Sequence, residues 1–377
     1  MATPDEDMTP ILSATLHLVK PNGSIVGSDV AKVARANHST FLSAIAAVTT
    51  TTNTHQPALA SIDGRASLSH KRVVEFGESL GSVLQKLGVS RGDRVALVLP
   101  NGPELALALV AVANWATAVP LNANGAVSEL EADLLRCGAH LVIGPGSYTA
   151  ITKGIASRPQ DAGFHVPSAS RRDWTSFGFV EETAKKLGMN YSALIPSDSE
   201  AGIFSLQPSK STVKSADCSG PPEPNRYDDP ALVLFTSGTT GNKKLVPHNM
   251  GDMLTASTTI ALSWSLAASD VNCNLMPLFH VGGIVRQIFS PLISGGCVIC
   301  CPAFDPSIFW ELLQHHAFTW YYAAPTMHHL ILQLGKAEGM IAPDKPRLPI
   351  RMIANAAGGL LPSLAEEMRE TFGANVS

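Results

Sequence analysis

The strand-like segments of this chain are apolar along their whole length rather than on alternate residues. Val95-Ala96-Leu97-Val98-Leu99, Leu141-Val142-Ile143, Ala231-Leu232-Val233-Leu234-Phe235 and Cys297-Val298-Ile299-Cys300 all read this way. A strand that is hydrophobic on both faces needs cover on both, as in a mostly parallel sheet packed between helices. The intervening segments supply those helices. Val73, Phe76, Leu80, Val83, Leu84 and Leu87 recur at steps of three and four and stop at Gly88, the spacing of an amphipathic helix. After Pro100-Asn101-Gly102-Pro103, Glu104 opens a second helix, apolar enough to be buried. Ala58–Ile62 reads as a further strand, and Asp63-Gly64 as a hairpin turn. The expected fold class is α/β.

Size and charge narrow the function. The 377 residues are 45% hydrophobic and only 15% charged, which supports a large core and excludes global disorder. Lys+Arg 27 against Asp+Glu 31 leaves a formal net charge of −4, so no field recruits nucleic acid or an anionic membrane. The most apolar stretch, Leu105 to Ala118, is broken by Asn114 and falls short of the roughly 20 residues of a membrane span. Asp5, Glu6 and Asp7 stand where a secretory signal needs basic residues, and six scattered cysteines make no disulfide framework. A cytoplasmic protein is expected. Cys297-x-x-Cys300-Cys301 has half the spacing of a metal site, but it sits inside an apolar run and is read as a buried strand.

Three regions are distinguished. Residues 1–36 have weak periodicity and are expected to form a tail or loose extension; 37–377 form one large domain. Within it, a stretch rich in Ser, Lys, Pro and Asp at about 208–230 is read as a surface linker.

The chemistry follows the linker. Phe235 runs directly into Thr236-Ser237-Gly238-Thr239-Thr240-Gly241-Asn242-Lys243-Lys244. Two glycines let backbone N–H groups approach an anion. Four hydroxyls donate to phosphate oxygens and two lysines supply charge. These are the parts of a triphosphate cradle. A Walker loop is excluded, because Lys243 stands where its second glycine belongs and Pro247 blocks the helix that should follow. The expected local structure is strand–loop–strand, with a helix beginning after Asn249 as N-cap.

That segment resembles the signature loop of the adenylate-forming (AMP-binding) superfamily, and similarity extends from about residue 57 to the end. Arg91–Val95 with Pro100–Glu104, and Pro120-Leu121-Asn122, resemble the family's early strand, helix and loop. Met276-Pro277-Leu278-Phe279-His280-Val281-Gly282-Gly283 resembles its acyl-pocket segment, and Trp320–Met327 the strand and helix start behind that pocket. Asn355-Ala356-Ala357-Gly358-Gly359-Leu360-Leu361-Pro362 resembles the loop that flanks adenine. Phe309-Trp310 and Thr319–Tyr321 with Pro325–His328 are similar to the oxalate–CoA ligase branch.

The resemblance implies the large N-terminal domain of the acyl-CoA synthetase fold and a two-step ligase reaction using ATP, Mg2+ and coenzyme A. It implies Thr236, Ser237, Gly238, Thr239, Thr240 and Gly241 around the phosphates, Ala357, Gly358 and Gly359 around adenine, and Lys244 and His280 in the chemistry. No metal ligand is assigned. Three positions depart from the pattern: Lys243 replaces a usual proline, Leu245 a glycine and Gly359 a proline. The chain also stops at Ser377, before the family's Tyr-Gly-x-Thr-Glu segment and its small C-terminal lid, so an incomplete copy is expected. Two other readings stay open: a nucleotide-binding fragment without activity, and a peptide-synthetase-type adenylation domain. Against the latter, Phe279–Ile284 carries no acid to hold a substrate amine. A peroxisomal address would lie beyond Ser377.

Other patterns are given bland readings. Gly77-Glu78-Ser79-Leu80-Gly81 matches a nucleophile elbow, but the helical spacing runs through it, so Ser79 is read as a helix-surface serine. His315-His316 and His328-His329 are read as solvated or capping residues. His280 is either a satisfied core histidine or, following the resemblance, a pocket wall near the substrate carboxylate.

Overall fold

Fourteen strands, arranged as two seven-stranded sheets, account for the described part of the chain. The computed structural model describes residues 9–15, 18–19, 25–51, 57–146, 174–209, 220–236, 243–315, 317–341, 350–355 and 357–376. In chain order the strands are β1 (Pro57–Ser61), β2 (Leu68–Ser69), β3 (Arg94–Leu97), β4 (Thr117–Pro120), β5 (Leu141–Pro145), β6 (Asn190–Pro196) and β7 (Phe204–Pro208). There follow β8 (Pro230–Phe235), β9 (Leu245–Asn249), β10 (Val271–Asn274), β11 (Cys297–Cys300), β12 (Trp320–Ala323), β13 (Met352–Asn355) and β14 (Asn375–Val376).

One sheet has the order β7-β6-β5-β3-β4-β8-β9, the other β14-β13-β12-β10-β11-β1-β2. Interior pairings are parallel; antiparallel pairs occur at the edges, β6 with β7, β8 with β9 and β1 with β2. This is the parallel-rich α/β architecture that the doubly apolar strands called for. Helix Pro103–Trp115 packs against β3, β4 and β8 of one sheet and β1 and β11 of the other. Every residue from Pro103 to Asn114 is buried, which is why its sequence has no polar face. Helix His70–Lys86 starts from Ser69, whose side chain accepts from Arg72 N–H. It passes through Gly77–Gly81, and Ser79 Oγ donates to the Phe76 carbonyl at 2.8 Å. No elbow forms. Cys297–Cys300 is a strand with every residue buried.

Four expectations need correction. Residues 1–36 are not a loose extension where they are described. Pro10–Thr15 and Gly27–Asn37 are helices, and Ile11, Leu12, Val30 and Ala34 lie in the core at 0–1% exposure. Thr9 Oγ1 donates to the Ile293 carbonyl at 2.7 Å, and the Tyr227 hydroxyl to that of Ala31 at 3.1 Å. The linker is anchored at its far end, because buried Asn225 donates to the carbonyls of Ala113 and Ala116, both at 2.8 Å; residues 210–219 lie outside the described part. Asp63-Gly64 is not a two-residue hairpin; a longer bend joins β1 to β2, with Gly64 at φ +82°.

His328 is the fourth correction. It is buried, not solvated, and its Nδ1 lies 3.0 Å from the Tyr321 hydroxyl. His329 and His315 are exposed. Burial pushes the His328 pKa down to about 4, against smaller opposing contributions from Ala323 and Asn355. The neutral ring is therefore the native form. Above its unfolded pKa of about 6.5 neither state binds this proton; between 6.5 and 4 the unfolded chain does and the native chain does not. Stability is thus expected to fall by about 3 kcal/mol over that window as pH drops. Denaturant titrations at pH 7 and pH 4.5 should show the loss, and His328→Gln should flatten it. An imidazole resonance for His328 titrating near 6.5 in the native protein would contradict it.

Candidate active site

The segments singled out for chemistry all leave the carboxyl ends of parallel strands. β8 runs into the hydroxyl-rich loop, β10 into the pocket segment, β12 into Pro325 and β13 into Ala357–Gly359. β13, β12 and β10 are adjacent and parallel, so their three loops share one edge. That edge is where open α/β sheets bind ligands.

β8 and β9 pair antiparallel, Phe235 opposite Leu245, as strand–loop–strand required. One step further, Thr236 N–H donates to the Lys244 carbonyl at 2.9 Å, and Lys244 N–H to Thr236 Oγ1 at 3.3 Å. Ser237, Gly238, Thr239, Thr240 and Gly241, with Asn242, lie outside the described residues. The two lysines at the loop's exit are treated differently. Lys243 Nζ meets Glu129 Oε1 at 2.5 Å and Asp133 Oδ2 at 2.6 Å, both on helix Val127–Cys137. Arg136 of the same helix donates to the Lys243 carbonyl at 2.9 Å. Burial alone would lower the Lys243 pKa, but these hydrogen-bonded carboxylates raise it. Lys244 is exposed and has no ion pair among the described residues. Helix Met250–Ser263 begins after Asn249, whose N–H donates to Asp252 Oδ2 at 3.4 Å.

The pocket segment is held from behind by side chains that carry no recognisable motif. Asn101, in the loop after β3, accepts from Leu278 N–H at 2.9 Å and donates to the Met276 carbonyl at 3.2 Å. This joins the loops of the two sheets. Fully buried Gln287 accepts from Asn274 Nδ2 at 3.1 Å and Met276 N–H at 3.2 Å, and donates to the Cys273 carbonyl at 3.0 Å. Gly283 allows no side chain, since a Cβ there would lie 2.3 Å from the Pro277 carbonyl oxygen. From Gly282 to Phe289 the chain is a π-helix, a widened coil that recurs at functional sites.

His280 is exposed at the start of this coil. Partial burial, then the nearby charge of Lys243, hold its pKa below the ordinary value. The satisfied-core alternative for His280 does not hold. Ala357 adopts φ +58°, a left-handed backbone that a non-glycine residue adopts at a cost of about 1 kcal/mol. A Cβ on Gly358 would come 3.5 Å from Pro325 Cγ, and the Gly358 carbonyl accepts from Asn355 Nδ2 at 2.9 Å. Among the described residues no group of three or more His, Cys, Asp and Glu is placed to hold a metal ion.

Sequence reasoning missed Asn101, Gln287 and the Glu129–Asp133 pair. Only Asn101 had a local signal, as the polar residue between two prolines at a strand end.

Two parallel-rich sheets around a buried helix are the architecture of the large domain of adenylate-forming enzymes. The AMP-binding enzyme family model matches residues 47–377, and the chain belongs to that family. It is 31% identical over 321 residues to "Probable CoA ligase CCL9" of Humulus lupulus, covering 84% of this chain and 54% of that protein. It is 29% identical over 322 residues to an oxalate–CoA ligase of Arabidopsis thaliana, covering 84% and 55%. The structure of apo MatB from Rhodopseudomonas palustris superposes with a TM-score of 0.65 at 19% identity, covering 91% of this chain and 59% of that one. The chain thus spans about half the length of the curated relatives it matches. No helix among the described residues is long and apolar enough to cross a membrane.

Proposed function

We propose that this protein activates a carboxylic acid with ATP and passes the acyl group to coenzyme A. A carboxylate oxygen attacks the α-phosphorus of ATP, and the bond to pyrophosphate breaks to leave an acyl-adenylate. The coenzyme A thiol, its proton lost to solvent, then attacks the acyl carbon and releases AMP. Family membership and the CoA ligases among its relatives support this reading. The observation that carries it is the division of labour at the loop's exit: Lys243 is committed to carboxylates while Lys244 is left uncommitted beside Thr236.

Each residue then has a task. Pyrophosphate leaves with a high negative charge, so the loop's work is to hold fixed donors against its oxygens. Lys244 supplies charge. Thr236 Oγ1 already accepts a hydrogen bond, which leaves its proton to donate. Ser237, Thr239 and Thr240 add hydroxyls, and Gly238 and Gly241 add N–H groups. His280, whose pKa partial burial and the charge of Lys243 hold below the ordinary value, walls the acid's carboxylate. Ala357, Gly358 and Gly359 flank adenine. Magnesium would screen the phosphate charge when it arrives with ATP; Glu129 and Asp133 are occupied by Lys243 and are not its ligands here.

The test is pyrophosphate exchange. Purified protein given ATP, labelled pyrophosphate and a panel of carboxylic acids should show exchange that depends on the acid, and AMP release that further depends on coenzyme A. ATP binding with no exchange for any acid would overturn the proposal and leave a nucleotide-binding protein.

A further inference from the structure

We infer that His328, with Tyr321 behind it and Asn355 in front, is a positioning residue for the exposed turn Ala357–Gly359. The inference rests on the reading above for the turn's task, which is to flank adenine.

The three side chains meet where two parallel strands end. Ala323, the last residue of β12, is in register with Asn355, the last of β13. Helix Pro325–Ala337 starts two residues after Ala323 and carries His328 in its first turn, fully buried. On one side, His328 Nδ1 lies 3.0 Å from the Tyr321 hydroxyl. On the other, Asn355 Nδ2 donates to the Gly358 carbonyl at 2.9 Å. One polar atom of each side chain is left, His328 Nε2 and Asn355 Oδ1. Both are sealed from solvent, and neither has a partner of full hydrogen-bond geometry among the described residues. A buried polar atom left unpaired is costly, and pairing these two with each other relieves both. Burial dominates the His328 pKa, but hydrogen bonds of the ring to the Ala323 carbonyl and to Asn355 oppose it. Asn355 thus acts on the imidazole as an acceptor.

Gly358 fixes the direction of every bond in this strut. A carbonyl only accepts, so Asn355 turns its NH2 to the turn and its Oδ1 inward. Oδ1 also only accepts, so the imidazole proton sits on Nε2. Nδ1 is then bare and accepts from the Tyr321 O–H, which has no other acceptor among the described residues. The Ala323 carbonyl does not replace Asn355, because it would leave Oδ1 without a donor. A neutral imidazole offers a donor and an acceptor at separate edges, which an apolar side chain of its size does not. The turn needs such support. Ala357 is left-handed at φ +58°, and backbone of that kind persists only where its surroundings over-determine it. Ala357, Gly358 and Gly359 are themselves exposed, so the anchor comes from beneath.

Two measurements test the strut and its task separately. NMR spectra of the imidazole nitrogens, with His328 assigned by its disappearance in His328→Gln, should show a bare Nδ1 and a proton on Nε2 at neutral pH. The opposite tautomer overturns the inference, and this readout needs no folded variant beyond the one used for assignment. Calorimetry then compares ATP with inorganic triphosphate, which lacks the base. His328→Leu should weaken ATP about five- to twentyfold and inorganic triphosphate by less than about twofold. Glutamine can place an N–H where Nε2 was, so His328→Gln should keep most of the ATP affinity. Full ATP affinity in His328→Leu, equal weakening of both ligands, or an equal loss in His328→Gln overturns the inference and leaves His328 a core residue. Wild-type protein that binds ATP no more tightly than inorganic triphosphate sinks the adenine reading instead, and the tautomer still decides the strut.

Discussion

Replacing Lys244 with alanine is expected to cut carboxylate-dependent ATP–pyrophosphate exchange by about 10²–10³-fold, the usual cost of losing one fixed donor to a developing anion. Lys243→Ala should cost clearly less. The two lysines are adjacent in sequence, and composition gives no reason to rank them. Geometry does: Lys243 is spent on Glu129 and Asp133, at 2.5 and 2.6 Å, while Lys244 has no carboxylate among the described residues. Lys243 then acts as a tether between helix Val127–Cys137 and the loop's exit, and its loss should raise the KM for ATP more than it lowers kcat. Exchange rates for both variants decide the matter. Equal losses, or a larger one for Lys243→Ala, would remove the basis for assigning Lys244 to the phosphates.

The largest effect on stability is expected at Arg65. Its guanidinium bridges Asp63 at 3.1 Å and Glu104 at 2.6 Å, with side-chain exposures of 8%, 6% and 2% for the three residues. It also donates to the Ser197 carbonyl at 2.9 Å. The cluster joins the bend after β1 in one sheet to the start of the helix buried between the sheets, and to the loop after β6 in the other. Burial would lower the Arg65 pKa; the two carboxylates outweigh it and hold the residue charged. Arg65→Met removes the cation and strands two buried anions, a change that typically costs about 3–5 kcal/mol. Urea unfolding should register it as a lower midpoint with an unchanged slope. Replacing all three residues by apolar ones should be much milder, because it strands nothing. A single-variant loss below about 1 kcal/mol would place the cluster in water.

Much of the scaffold could be read from local pattern, and much of the site could not. The apolar run Ala231–Phe235 announced β8, and the three-and-four spacing from Val73 announced helix His70–Lys86, because both signals lie within one element. Asn249 marked a helix start that is there. The N-terminal helices were misread because what fixes them is distant: Thr9 bonds Ile293, and Tyr227 bonds Ala31. Short segments with little periodicity of their own look like a tail until the rest of the core is folded around them. Lys243 was grouped with the phosphate ligands for the same reason, since its partners lie more than 100 residues earlier. The π-helix had no precursor in the sequence, because Gly282–Phe289 has an apolar content equally suited to an ordinary helix. It is recognised only from its hydrogen-bonding ladder.

That coil has a consequence for how such a pocket diversifies. A π-turn holds one residue more than the α-turn it replaces, at some cost in ladder geometry. Deleting a single residue between Gly282 and Phe289 would let the segment relax to 3.6 residues per turn and swing every later side chain by about 100°. Gln287, which holds the loop after β10, would exchange places with a neighbour in one step. If this segment lines the acid's site as proposed, one deletion would change that lining in a single step, where a compact α-helix would demand several coordinated replacements.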